Sequence, residues 1–184
     1  MRILLGLLFA IGAANAAGAV FTVPVSDKSS ITFTSRQMGV AVNGKFTQFA
    51  SRIAFDPARP ESSRAQIEVA LASVNAGSSD ADDTVKSKPW FDVAAFPTAT
   101  FISNGLRSMG GNRYQATGTL TIKGRSVAVI VPFNTSQAGT LLVLDGTIPI
   151  SRMQFGIGGG VWADPSVVAD AVQVHFHLSL APSK

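Results

Sequence analysis

Along most of the chain, apolar and polar residues alternate with a period of two. "SSITFTSR" places Ile31 and Phe33 on one face and Thr32 and Thr34 on the other, the pattern of a half-buried strand. "VAVNGKF" carries Val40, Val42, Gly44 and Phe46 in phase, and "AQIEVAL" sets Ile67, Val69 and Leu71 against Gln66, Glu68 and Ala70. "TATFIS" contributes Phe101. "TGTLTIKGRSVAVIVPF" reads as two strands joined at Lys123-Gly124, where glycine supplies the positive φ of a tight hairpin. "TLLVLDGTIPI" is a further strand with an interruption expected near Asp145-Gly146, and Val172 to Leu180 alternates without a break. Eight or so strands with short turns predict an all-β antiparallel sandwich or barrel. Parity assigns Ile31, Phe33, Val42, Phe46, Ile67, Val69, Phe101, Val129, Val131, Phe133, Val174, Phe176 and Leu178 to the inner face.

One segment departs from this rhythm. From Ser78 to Val93, "SSDADDTVKSKPWFDV" loses strand character, and Ser79 or Asp80 is placed to cap a short helix. Pro89 and Pro97 bracket a tight stretch in which Trp90, Phe91 and Phe96 need cover, which an aromatic plug beside a barrel mouth would give. At the amino end, "MRILLGLLFAIGAANA" has one positive charge, an apolar run and a small-residue A-x-A ending. It predicts a signal peptide over residues 1–16, with cleavage after Ala16 or alternatively Ala19, and hence a periplasmic or secreted protein. A single domain over residues 20–182 follows, since no repeat, linker or low-complexity tract divides it.

Composition removes several function classes. The 184 residues include no cysteine, so disulfides, thiolate metal sites and cysteine nucleophiles are excluded. The 15 basic residues against 11 acidic ones are dispersed, without the basic stripe that nucleic-acid binding requires. An outer-membrane barrel would need two aromatic girdles, which one tyrosine and two tryptophans cannot supply. Asp80, Asp82 and Asp83 fit a helix start better than acid/base or metal chemistry, and they lack the rest of an EF-hand pattern. "GIGGG" at Gly156 to Gly160 has the wrong spacing for a dinucleotide fingerprint and reads as a bend beside Trp162. No serine lies in a nucleophile-elbow motif. His175 and His177, two apart on one strand, share the face opposite Val174, Phe176 and Leu178, and no third histidine exists to complete a zinc site. They are expected to point outward without metal. Neither a catalytic site nor a metal site is predicted.

Three blocks, "KSKPWFDVAAFPTATFIS", "GTLTIKGRSVAVIVPF" and "ISRMQFGIGGGVWADPSVVADAVQVHF", follow one another in the order in which the chain resembles the YceI-like family of exported lipid-binding proteins. The resemblance runs from about Phe21 to Leu180. It implies an eight-stranded antiparallel, lipocalin-like barrel whose apolar cavity holds an isoprenoid quinone, a polyprenyl lipid or a related amphiphile, without catalysis and without another cofactor. Many members carry a histidine in the helix before the "S-x-x-F-F-D" stretch, where this chain has Thr84, so no role for that side chain carries over. On this reading the ligand meets Phe33, Phe46, Val69, Phe101, Val131, Phe133, Phe176 and Leu178, and Arg152 and Asp92 are candidates for its head group or for a structural ion pair. The competing readings are a β-sandwich or filled barrel acting as an interaction module, and more remotely a metalloprotein or hydrolase. The sequence leaves a homodimer open.

Overall fold

The structure, a computed structural model, describes residues 19–183. The predicted signal peptide, residues 1–16, lies outside the described residues. Eleven strands and one α-helix follow in the order β1 (Phe21–Pro24), β2 (Ser30–Gln37), β3 (Val40–Phe46), β4 (Phe49–Ala54), β5 (Arg64–Ala70), β6 (Val74–Asn75), α1 (Ser79–Lys86), β7 (Thr98–Ser108), β8 (Arg113–Ile122), β9 (Arg125–Ala138), β10 (Leu141–Ser151) and β11 (Ala171–Pro182). They form one antiparallel sheet in the order β4-β5-β7-β8-β9-β10-β11-β2-β3-β6, curled into a half-barrel, with β1 paired to β11 off that path. There is one sheet, not the two stacked sheets of a sandwich. The count exceeds the predicted eight by β1, β4 and β6: β1 and the two-residue β6 are too short to show alternation, and the six-residue β4 is not read from the sequence.

The curl is pinned at two places. Phe21 in β1 exchanges both backbone hydrogen bonds with Phe55, just beyond β4, at 2.9 and 3.0 Å. Because β1 also pairs with β11, it ties the middle of the sheet to one of its ends. The segment Leu71–Ser73 runs from β5 near that end to β6 at the other, and Ser73 accepts the Thr47 amide of the β3–β4 turn on its carbonyl. Its hydroxyl accepts the next amide, Gln48, at 3.0 Å.

Local details follow from backbone chemistry. The β8–β9 hairpin turns on Lys123 (φ 50°) and Gly124 (φ 72°), both left-handed as a two-residue turn of matching twist requires. The helix is capped one residue earlier than expected: the Ser78 hydroxyl accepts the Ala81 amide. Asp82 reaches back to the Ala76 amide and so ties the helix to the preceding loop. The interruption expected near Asp145-Gly146 occurs on one side alone: β10 pairs with β11 through both residues, while its pairing with β9 ends at Gly146. Gly146 has no left-handed φ, so its presence there has a packing cause, described below.

Alternation sends most apolar residues of the long strands to the inner face, with exceptions such as Ile102 on β7 and Ile130 on β9, which are exposed. Phe55, 1% exposed, sits at one end of the core with its ring edge-on to Tyr114 at 5.1 Å and to Phe133 at 6.0 Å. Leu180 lies in the same cluster with no exposure at all. Phe55→Ala removes both aromatic contacts and opens a void beside the β1 bridge. It is expected to cost about 3–5 kcal/mol, read as a lower urea midpoint at unchanged slope.

Candidate functional site

The inner face encloses an apolar lumen of two lobes, about 130 Å³ and about 150 Å³. They share Ile31, Val69, Ala99, Leu120, Ile148 and Val174, so the two lobes lie end to end across these six side chains. The first lobe runs toward the Phe55 end, past Phe101, Val131, Phe133, Phe176 and Leu178. The second runs toward the helix end, past Phe33, Phe46, Trp90 and Phe91. Arg64, Thr100, Ser35 and Arg152 are the polar residues along the walls. Arg64 turns its guanidinium out onto the Glu61 and Ser63 carbonyls, leaving its stem to the lumen.

All eight residues chosen from sequence as apolar lining face this channel, with Val69 in both lobes. Parity missed Leu120 on β8 and Leu144, Ile148 and Ile150 on β10. The signal was present: Leu142, Leu144, Ile148 and Ile150 stay in phase across Gly146, and the expected break concealed it.

The second lobe is walled at its end by the segment after α1 and by the glycine-rich loop. Phe91 donates its amide to Val85 and places its ring 6.1 Å from Phe46, while Trp90 lies 5.7 Å from Trp162. The indole N–H of Trp90 is buried without an acceptor among the described residues. Arg152, 2% exposed, organises the loop. Its Nε donates to Ala169, one terminal nitrogen to Ile157 and Gly158, and the other to Trp162 and Val168, at 2.7–3.1 Å. Those five bonds use every donor a guanidinium has. Burial lowers its pKa, an effect partly opposed by the negative charge of Asp170. Gly158 (φ 74°) is glycine for two reasons: its left-handed backbone, and the Arg152 terminal nitrogen that would collide with any Cβ. The bend read from "GIGGG" is therefore a cradle for a cation.

This geometry corrects both head-group candidates. Arg152 has no N–H left for a ligand, and among the described residues its five partners are carbonyls rather than a carboxylate. Asp92 lines neither lobe. It sits in a left-handed turn at φ 52°, its carbonyl accepting the Ala95 and Phe96 amides. Its charge acts on Lys123, whose pKa is lowered chiefly by burial and raised in part by Asp92. Lys123 in turn donates to the Lys88 and Gly156 carbonyls at 2.9 and 3.0 Å, stapling the helix segment to the glycine loop.

The histidines lie on the opposite face from the lumen. His175 Nδ1 is 2.9 Å from the Thr147 hydroxyl, and His177 Nδ1 is 2.6 Å from Asp145. Each is occupied by its cross-strand neighbour on β10. No group of three metal-ligating side chains exists among the described residues.

A curled antiparallel sheet around a hydrocarbon-walled channel, closed by an aromatic segment, defines a β-barrel container. The YceI-like domain matches residues 23–180, and the chain belongs to the YceI-like family. It is similar to BcnA of Burkholderia cenocepacia, with 41% identity and a TM-score of 0.83 over 85% of this chain and 98% of that one. A polyisoprenoid binding domain from Saccharophagus degradans, implicated in plant cell wall breakdown, shares the fold at a TM-score of 0.66 and 16% identity, covering 90% of this chain and 99% of that domain. A UPF0312 protein of Azotobacter vinelandii is 29% identical over 123 residues, which span 66% of this chain and 64% of that relative's length.

Arg152→Met would strand three buried carbonyls, of Ile157, Gly158 and Val168, and two partly buried ones; at roughly 1–3 kcal/mol for each buried group left unpaired, a loss of at least about 3 kcal/mol is expected. Arg152→Lys, with at most three donors, should recover only part of it. Trp90 and Trp162, the only tryptophans, flank the site, and a shift in their emission before global unfolding would show the loop releasing first.

Proposed function

We propose that the protein binds one apolar-tailed amphiphile, an isoprenoid or a close relative, with the tail in the lumen and the head toward the helix and glycine loop. The observation that carries this reading is the lumen itself: a hydrocarbon-walled space on the inner face of the sheet, lined almost wholly by apolar side chains. The polyisoprenoid binding domain of similar fold points to the same ligand class. The leader-like residues 1–16 support export to the periplasm or outside the cell. No helix among the described residues is long and apolar enough to cross a membrane.

Size sets the tail length. Each lobe is comparable to the engineered cavity of roughly 150 Å³ that accepts benzene, so the two lobes take on the order of two or three isoprene units before a wall moves. Ten buried methylene equivalents, at about 0.8 kcal/mol each, yield about 8 kcal/mol, which offsets much of the cost of association without a polar anchor. No side chain is held in a nucleophile–base arrangement at the channel, and the reading is of binding without catalysis.

Organic extraction and mass spectrometry of protein purified from its own host should return a prenyl-chain amphiphile at about one per protein; a ligand-free protein that also fails to take up a fluorescent prenyl probe would refute the proposal. Phe176→Asn places an unsolvated amide against the tail and should weaken probe binding by about one to two powers of ten, with folding checked by circular dichroism. His177→Asn, on the outer face, should stay within a factor of about two. Replacing both histidines by alanine should alter neither affinity nor metal content, measured by displacement titration and elemental analysis.

A further inference from the structure

Three phenylalanines that point into the lumen do not project across it. Each lies sideways along the wall, with its ring on a glycine of the neighbouring strand. Phe176 covers Gly146, its cross-strand partner, and Phe33 covers Gly44 in the same way. Phe101 covers Gly118 diagonally, since its direct partner is Leu120. A Cβ built on Gly146 would lie 2.7 Å from Cε1 of Phe176, and one on Gly44 would lie 2.6 Å from Cε1 of Phe33. One on Gly118 would lie 2.6 Å from Cε2 of Phe101. The ring tips thus occupy the space that any other residue's side chain would fill.

Backbone conformation does not require glycine at these positions. Gly44, Gly118 and Gly146 have none of the left-handed φ values found at the turn glycines, and within a strand glycine is destabilising. What they provide is a recess. Phe176 and Phe101 line the first lobe and Phe33 the second, so the recesses occur along the length of the channel. A ring denied its recess has one direction open to it, across the lumen, because the sheet backbone lies behind it.

Resting on the binding reading above, we infer that Gly44, Gly118 and Gly146 set the bore of the channel: by letting three phenylalanine rings lie flat, they make room for a methyl-branched chain where a narrower channel would admit only a linear one. These are specificity-determining positions, and each glycine also lies against a neighbouring carbonyl: a Cβ would sit 2.7 Å from the Asn75 oxygen at Gly44, 2.5 Å from that of Ile102 at Gly118 and 2.7 Å from that of Pro132 at Gly146. The aromatic lining and the open bore are compatible only because the two residue types occur as pairs.

The test compares two fluorescent probes, one with a branched prenyl chain and one with a linear saturated chain of equal carbon number. Gly146→Ala should raise the ring of Phe176 into the lumen and weaken the branched probe at least about tenfold while changing the linear one less than about threefold. The same Cβ would also lie 2.7 Å from the Pro132 carbonyl, so this variant carries a backbone strain of its own. Phe176→Trp keeps Gly146 and therefore avoids that contact, but its larger ring cannot lie in the recess, and it should show the same selective loss. Phe176→Leu added to Gly146→Ala should restore the branched probe. Folded variants that bind the branched probe as the wild type does, or that lose both probes equally, overturn the inference while leaving the binding reading intact. A wild-type protein that takes up neither probe overturns both.

Discussion

A dry channel imposes one demand on everything around it: no backbone amide or carbonyl can be left facing it unpaired. Antiparallel pairing meets that demand along the strands, and the rest of the architecture deals with the places where pairing stops. At one end β1 supplies it, through the two backbone hydrogen bonds that Phe21 and Phe55 exchange. Within the bulge of β7, the Ser103 hydroxyl takes the Ala65 amide and continues the ladder by side chain. At the other end strands give way to loop, and Arg152 alone collects five carbonyls that no strand could reach. A buried guanidinium without a carboxylate is costly, yet five charge-assisted bonds and a nearby Asp170 offset that cost and fix the loop in one conformation.

The same demand explains where chemistry is absent. Polar side chains near the channel turn away from it, as Arg64 does, or are consumed, as Arg152 is. The polar row containing His175, His177, Asp145 and Thr147 lies outside, where hydrogen bonding is satisfied between neighbouring strands or by water. A ligand inside therefore meets hydrocarbon almost throughout. On the proposed reading its recognition is a matter of length, thickness and branching, which the walls control through volume.

Much of this was legible in the chain. Period-two alternation named the inner face residue by residue, because successive side chains of a strand have no choice but to point to opposite sides. From Phe33 to Leu178, the eight residues chosen as lining all face the channel, and the histidines face away for the same reason. The Lys123-Gly124 turn was legible because two left-handed residues in succession have few sequence solutions. Glycine within a strand was less legible. Gly146 was taken as a break in β10 and hid the in-phase Leu144 and Ile148, because glycine in a strand has a local meaning and a tertiary one that sequence does not distinguish.

Arg152 and Asp92 show the other limit. Both stand in blocks typical of the family, but nothing local says whether a buried arginine meets a carboxylate, a ligand or carbonyls arriving from ten or more residues away. By itself the sequence determined the sheet, its inner and outer faces, its turns and the absence of thiol chemistry, all of which follow from short-range sterics and composition. Only the tertiary structure decided that the interior is hollow. Whether a phenylalanine fills a lumen or lies along its wall depends on what the adjacent strand offers, and strand adjacency is set by the order of the whole sheet.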